Sequence, residues 1–68
     1  MALSARNQLP GIVESVHLGE VMAHIVVKVG NNLIESLISR TSAEELKLTK
    51  GDAVRVVVKS TEVMIQKD

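Results

Sequence analysis

The stretch Val21-Met22-Ala23-His24-Ile25-Val26-Val27-Lys28-Val29, followed by Gly30-Asn31-Asn32, decides the fold. Apolar residues fill every second position of this stretch, and His24 and Lys28 occupy alternate positions. A two-residue period of this kind is typical of a β-strand with one buried face. Gly and Asn tolerate positive φ, so Gly30-Asn31-Asn32 predicts a tight hairpin. An antiparallel return strand is then predicted over residues 33–39.

Further strands are predicted on both sides of this hairpin. Leu9-Pro10-Gly11 is a turn signal, and residues 12–18 after it alternate in the same two-residue pattern up to Gly19. Toward the C-terminus, apolar and polar residues alternate again over residues 53–59, which predicts a fourth strand. Residues 62–66 are predicted to form a last short strand. The sequence therefore predicts five strands.

A change of period between the third and fourth strands indicates a short helix. Ser42 precedes Glu45 by three residues, and Thr41 precedes Glu44 by the same spacing, so both pairs fit a capping box. Lys50-Gly51 supplies a stop, and a helix of about two turns is predicted. Three strands, one helix and two strands is the order of an OB-like barrel. The predicted class is all-β with one short helix, arranged as a five-stranded OB-like barrel.

The composition limits the chain to one small domain that has neither disulfide bonds nor a metal site built from cysteine thiolates. It has 68 residues, no cysteine and no aromatic side chain. A core this small and free of aromatic residues is marginal for a monomer, which favours an oligomer. The N-terminus lacks a signal-peptide pattern, and no apolar run is long enough to span a membrane, so we expect a soluble cytoplasmic protein.

The charge balance bears on the kind of partner. Eight basic and eight acidic residues give zero formal net charge, so the chain has no broad basic field for nucleic acid or a membrane surface. It also lacks the aromatic platforms on which single-stranded bases stack. OB-like folds nevertheless serve as nucleic-acid-binding or protein-interaction modules, and such a module is the alternative function. A strand-swapped homodimeric scaffold without ligand is a third reading.

Signatures of catalysis are absent from the sequence. It contains neither a Gly-x-Ser-x-Gly elbow, nor a phosphate-binding loop, nor a His-Glu-x-x-His motif. The carboxylates are scattered near turns and on polar strand faces, which favours a solvated role. His17 and His24 fall on the polar side of their strands and are interpreted as partly exposed structural residues. We therefore predict that the protein is not an enzyme.

Two segments join a positive charge to hydroxyl and amide donors without a neighbouring carboxylate: Ser4-Ala5-Arg6-Asn7-Gln8 and Lys59-Ser60-Thr61. A tetrahedral dianion needs many hydrogen-bond donors and about two positive charges, and the two segments together provide them. A third candidate is Ser39-Arg40-Thr41-Ser42, where hydroxyl groups gather at the predicted helix start. Ser and Thr in that position are more often simple helix caps, so both readings stay open there.

These segments closely resemble those of a known protein family. Ser-Ala-Arg-Asn-Gln-Leu at residues 4–9 and Lys-Ser-Thr-x-Val-Met-Ile at residues 59–65 resemble the ends of the molbindins, small molybdate-binding proteins of one Mop domain. The resemblance runs from Met1 to about Gln66, so the chain is interpreted as a single Mop domain over residues 1–68. It implies an OB-like barrel in a homohexamer, a trimer of dimers with exchanged terminal strands, which holds molybdate or tungstate at subunit interfaces.

The resemblance also implies which residues contact the oxyanion. Two groups are expected, one from the end segments and one reaching in from a neighbouring subunit: Ser4, Ala5, Arg6, Lys59 and Ser60, and then Ser39 and Ser42. No organic cofactor is implied, and no side chain ligates the metal directly, because the metal is bound as its oxyanion. Binding would be a reversible equilibrium in which Arg6 and Lys59 balance the charge of the dianion.

Overall fold

The computed structural model describes residues 3–68 and shows one antiparallel sheet with one short helix. The strand order across the sheet is β3-β2-β1-β4, with all neighbours antiparallel. The predicted class, all-β with one short helix, is confirmed. None of the helices within residues 3–68 is long and apolar enough to cross a membrane. The elements in chain order are β1 (Asn7–Leu18), β2 (Met22–Val29), β3 (Asn32–Ser39), α1 (Arg40–Glu45), β4 (Ala53–Val58) and a 3-10 turn at Ser60–Glu62.

The two-residue period of β2 sets the core. Ala23, Ile25 and Val27 are buried, as their alternation predicts, together with Val13 and Ala43. Partly buried aliphatic side chains from the other elements pack against these five: Val16, Val29, Ile38, Leu48, Val54 and Val56. Because all of these side chains are aliphatic and most are small, the core of a single chain is small.

The predicted hairpin between β2 and β3 is confirmed, and its loop has two residues. Val29 pairs with Asn32, which leaves Gly30 and Asn31 as the loop. Gly30 has a φ of +60°, whereas Asn31 has a negative φ. A positive φ at the first loop position is the pattern of a type II′ turn, whose twist matches that of the flanking strands.

β1 begins earlier than predicted. Leu9-Pro10-Gly11 lies inside this strand, paired with β4, so the prediction of a turn there is wrong. Pro10 is tolerated because β2 pairs with β1 only from Ile12 onward, which leaves the stretch around Pro10 with one neighbouring strand. Glycine is required at position 11 because β2 passes close to β1 there. A Cβ atom on Gly11 would lie 2.7 Å from the carbonyl oxygen of Lys28.

A β-bulge interrupts the alternation of β1. The register shifts between Val13 and Ser15, so that Glu14 is an extra residue in the strand. As a result Val13 and Val16, which differ in parity, both belong to the core. The uninterrupted alternation predicted for residues 12–18 is therefore wrong at this point.

The predicted short helix is confirmed, but neither predicted capping box forms its start. The N-cap is Ser39, whose Oγ accepts a hydrogen bond from the backbone N–H of Ser42 at 3.0 Å. The boxes beginning at Thr41 and Ser42 lie too late in the chain because β3 runs directly into the helix. Ala43 is the buried residue of α1 and packs this turn of helix onto the core.

The strand predicted at residues 62–66 is not formed in the single chain. Residues after the 3-10 turn have no regular structure, and Met64 and Ile65 are 92% and 88% exposed. A strand needs a neighbouring edge for its backbone hydrogen bonds, and within residues 3–68 no strand pairs with this segment.

β3 and β4 are the two edges of the sheet, and the sheet curves so that they face each other across an apolar cavity. This core cavity has a volume of about 180 Å³. Its walls include Ile38 of β3 and Val54 and Val56 of β4. The single chain therefore forms a curved sheet that stays open between β3 and β4 in the part of the chain described.

Candidate functional site

The start of β1 lies beside the end of β4, because the two strands pair there. Asn7 pairs with Val58, and the pairing continues to Ile12 and Ala53. Because the strands are antiparallel, the residues before Asn7 and those after Val58 leave the sheet side by side. The two donor-rich end segments are therefore neighbours in space.

A cavity of about 180 Å³, the terminal cavity, lies between these segments. Its lining consists of Ser4, Ala5, Lys59, Ser60 and Thr61. Three hydroxyl groups and one ammonium group are thus present, and none of the lining residues carries a carboxylate. Hydroxyl groups donate hydrogen bonds without adding charge, and an ammonium supplies three donors. Such a lining suits a small anion.

The terminal cavity contains four of the seven predicted site residues. Ser4, Ala5, Lys59 and Ser60 line it, whereas Arg6 is exposed just outside the lining. If the β1–β4 register is extended by one pair, Arg6 lies opposite Lys59. Thr61 also lines the cavity but was missing from the predicted set. Its hydroxyl group, next to Ser60 in the donor-rich segment, was the signal that could have included it.

The positive charges at this end of the molecule are not neutralised within the described part of the chain. Two ion pairs are found among residues 3–68, one between His24 and Glu35 at 2.7 Å and one between Arg40 and Glu44 at 3.6 Å. Neither pair includes Lys59 or Arg6. Their charge therefore remains available to a bound anion.

Ser39 and Ser42 lie elsewhere in the chain. Ser39 pairs with Met22 where β3 ends, at the opposite end of the sheet from the terminal cavity. Its Oγ accepts a hydrogen bond from the Ser42 N–H and donates one to the Ser42 Oγ at 2.8 Å. In a single chain these two residues therefore act as a helix cap and do not join the other five in one site.

The histidines form a contact on the sheet surface. His17 and His24 are direct partners across β1 and β2, and His24 Nε2 is hydrogen-bonded to Glu35 of β3. This contact ties two strands together and supports the structural interpretation of His24. Among residues 3–68 no group of three His, Cys, Asp or Glu side chains could hold a metal ion.

A curved antiparallel sheet with a donor-lined cavity beside the start of β1 and the end of β4 defines a small ligand-binding β domain of OB-like class. The family model that matches this chain is the TOBE domain, over residues 3–65. The chain belongs to the TOBE domain family.

Individual proteins that are similar to this chain agree with this placement. Molybdenum-pterin-binding protein 2 of Clostridium pasteurianum is 48% identical over 66 residues, which cover 96% of this chain and 97% of that protein. A molybdate-binding protein from Sporomusa ovata matches with a TM-score of 0.94 at 36% identity, covering 98% of this chain and 100% of the other. The molybdate-bound form of the cytoplasmic molybdate-binding protein ModG matches with a TM-score of 0.82 at 31% identity, covering 88% of this chain and 43% of ModG. The resemblance to the Mop-type proteins is confirmed.

Proposed function

We propose that this chain reversibly binds molybdate, or tungstate, in the terminal cavity. The observation that carries the proposal is that Ser4, Ser60 and Thr61 place hydroxyl groups in the same cavity as the ammonium group of Lys59. The names of the similar proteins, which are molybdenum-pterin-binding and molybdate-binding proteins, support the choice of anion. Ala5 contributes only backbone groups, because its methyl group cannot form hydrogen bonds.

Binding follows from charge and donor geometry. Arg6 and Lys59 balance the two negative charges, and hydroxyl and backbone N–H groups replace the water shell of the anion. No covalent step is involved, so the chain acts as a binding protein, as the similar proteins are also named. The oxyanion itself is the ligand, and the mechanism uses no organic cofactor.

Other copies of the chain complete the site. In a single chain the residues that line the terminal cavity are exposed or half-buried, which would leave a bound anion largely in water. Ser39 and Ser42 lie at the far end of the sheet and can reach the cavity only from a neighbouring copy. We therefore place the oxyanions at subunit interfaces, and the homohexamer, a trimer of dimers, is the assembly that the resemblance to the molbindins implies.

Two features of the single chain support this assembly. Val63, Met64 and Ile65 are apolar and exposed, and β3 and β4 are unpaired edges within the described residues. If residues 62–66 pair as a strand with a second copy, they bury these side chains and satisfy the backbone groups of an exposed edge. Exchange of the terminal strands would thus form the fifth strand that the single chain lacks.

The physiological role proposed is storage or homeostasis of the anion in the cytoplasm. Reversible binding without a chemical step suits a protein that takes up and releases an ion as its concentration changes. ModG, which is similar in structure, is described as cytoplasmic.

Native mass spectrometry with and without molybdate tests ligand and assembly together. We expect a hexamer that gains mass in steps of one oxyanion when molybdate is added, and no such steps with sulfate. Absence of molybdate adducts would overturn the proposed ligand, and a folded monomer at micromolar concentration would overturn the assembly. Binding of oligonucleotides at physiological salt would instead favour a nucleic-acid-binding module.

A further inference from the structure

Two side-chain hydrogen bonds link β4 to the wall of the terminal cavity. Arg55 Nη1 donates to Gln8 Oε1 at 3.1 Å, and Gln8 Nε2 donates to the carbonyl oxygen of Ala5 at 3.2 Å. Ala5 lines the cavity, whereas Gln8 and Arg55 do not. Gln8 thus contacts the wall of the cavity from outside it, and Arg55 contacts Gln8.

The hydrogen bond to Ala5 fixes the orientation of one peptide group. In a trans peptide the C=O and the N–H point in opposite directions, so a carbonyl directed at Gln8 turns the N–H of Arg6 away from Gln8. A carbonyl held by Gln8 is also withdrawn from an anion that it would repel. Because Ala5 has no polar side chain, the orientation of its peptide groups decides whether it attracts or repels an anion.

Arg55 determines which way the amide of Gln8 lies. An amide has one acceptor oxygen and one donor nitrogen, and a guanidinium group only donates. The oxygen of Gln8 therefore faces Arg55, and the nitrogen faces Ala5. The opposite orientation would lose both hydrogen bonds. The strand register supports the contact, since Arg55 pairs with Pro10, two residues from Gln8 on the same face of the sheet.

A neutral amide is the side chain that suits this bridge. Neither of the ion pairs found among residues 3–68 includes Arg55. A carboxylate at position 8 would attract Arg55 more strongly, but it would lose the donor to Ala5 and place a negative charge beside an anion site. Gln8 connects a cation to a carbonyl group without adding charge.

We propose that Gln8 and Arg55 are positioning residues of the oxyanion site. Arg55 orients Gln8, and Gln8 orients the Ala5 peptide group that lines the cavity. This inference rests on the proposed function and assigns an effect on affinity to two residues that do not touch the anion.

A double-mutant cycle on molybdate affinity, measured by titration calorimetry on the full chain, tests this inference. Gln8→Met and Arg55→Met keep an unbranched apolar side chain and remove the hydrogen-bonding groups. Each variant should bind about three- to tenfold more weakly, which corresponds to the loss of one hydrogen bond. The double variant should bind no more weakly than Gln8→Met, because Arg55 acts through Gln8.

Each other outcome of the cycle decides against the inference. If the two losses multiply, Arg55 acts on the anion through its charge and not through Gln8. Wild-type affinity in both single variants would exclude a positioning role. Gln8→Asn keeps the amide but is one methylene too short for both contacts, so it should lose affinity like Gln8→Met. It replaces Gln8→Met in the cycle if Gln8→Met does not fold. Failure of the wild-type chain to bind molybdate would refute the proposed function itself.

Discussion

Asn7 of β1 pairs with Val58 of β4, and this pair joins the start of β1 to the end of β4. Residues that precede Asn7 and residues that follow Val58 line the terminal cavity, so the candidate site exists only when β1 and β4 are paired. A ligand that binds the folded chain and not the unfolded chain stabilises the fold by mass action. Molybdate should therefore stabilise the β1–β4 pairing.

Replacing Lys59 by Met should weaken molybdate binding by at least about tenfold. Met keeps the apolar stem of the side chain but removes the ammonium group, and hydrogen bonds to charged groups contribute about 1.5–3 kcal/mol. Titration calorimetry measures the change. Lys50→Met is the matched control, because Lys50 lies exposed in the turn before β4 and does not line the cavity. Equal affinities in the two variants would remove Lys59 from the site.

Replacing Thr61 by Val should weaken molybdate binding by about three- to tenfold. The two side chains have nearly the same shape, so the variant removes one hydroxyl group from the cavity lining and little else. Thr41→Val provides the control, since Thr41 is exposed at the start of α1. If both variants bind molybdate as the wild type does, Thr61 lines the cavity without donating to the anion.

Local sequence patterns predicted those parts of the fold that depend on neighbours in the chain. β2 and β3 are joined by a two-residue loop, so the alternation of β2 and the turn at Gly30 together determine the hairpin. The bulge at Glu14 has a different origin, because it lies close to the point where β1 stops pairing with β4 and continues to pair with β2. The backbone of Val13 is also hydrogen-bonded to Gly51 and Asp52. Contacts between such distant residues leave no periodic signal.

In the candidate site, too, local residue types were informative from the sequence, whereas contacts between distant residues were not. Residue types marked Ser4-Ala5-Arg6-Asn7-Gln8 and Lys59-Ser60-Thr61 as donor-rich, and residues of both segments line one cavity because β1 and β4 pair. The hydrogen bond between Arg55 and Gln8 was not predicted, because it depends on the register between β1 and β4. Helix capping by Ser39 was one of the two interpretations left open, whereas the capping boxes were predicted too late in the chain because β3 passes into α1 without a loop.

Replacing Gly11 by Ala should destabilise the fold by about 1–3 kcal/mol. A Cβ atom at this position would lie 2.7 Å from both the Lys28 carbonyl oxygen and Val27 Cγ1, so β1 and β2 would have to separate. Urea denaturation measures the free energy of unfolding. Ser15→Ala is the control, because Ser15 is exposed in the same strand. Unchanged stability of Gly11→Ala would show that the strands part without cost.

Anion selectivity should follow from size and protonation. Sulfate has the charge and shape of molybdate but shorter bonds, so donors set for the larger anion would form stretched hydrogen bonds with it. Phosphate is mostly protonated near neutral pH, and a site rich in donors penalises a ligand hydroxyl that must itself donate. In competition calorimetry, tungstate should displace molybdate, whereas a large excess of sulfate or phosphate should not. Displacement by sulfate at comparable concentration would contradict the proposed ligand.

Ile65 tests whether the exposed C-terminal segment packs against another copy of the chain. Its side chain is 88% exposed in a single chain, so Ile65→Asp should hardly change the stability of a monomer. In an assembly that buries residues 62–66, the same change places a charge in an apolar contact, which is costly in every subunit. We expect sedimentation velocity to show dissociation of the oligomer and calorimetry to show loss of molybdate binding, because Ser39 and Ser42 no longer reach the cavity of a neighbour. Lys67→Asp, two residues further along the same exposed segment, should leave both unchanged. An intact oligomer in Ile65→Asp would place this segment outside the subunit contacts.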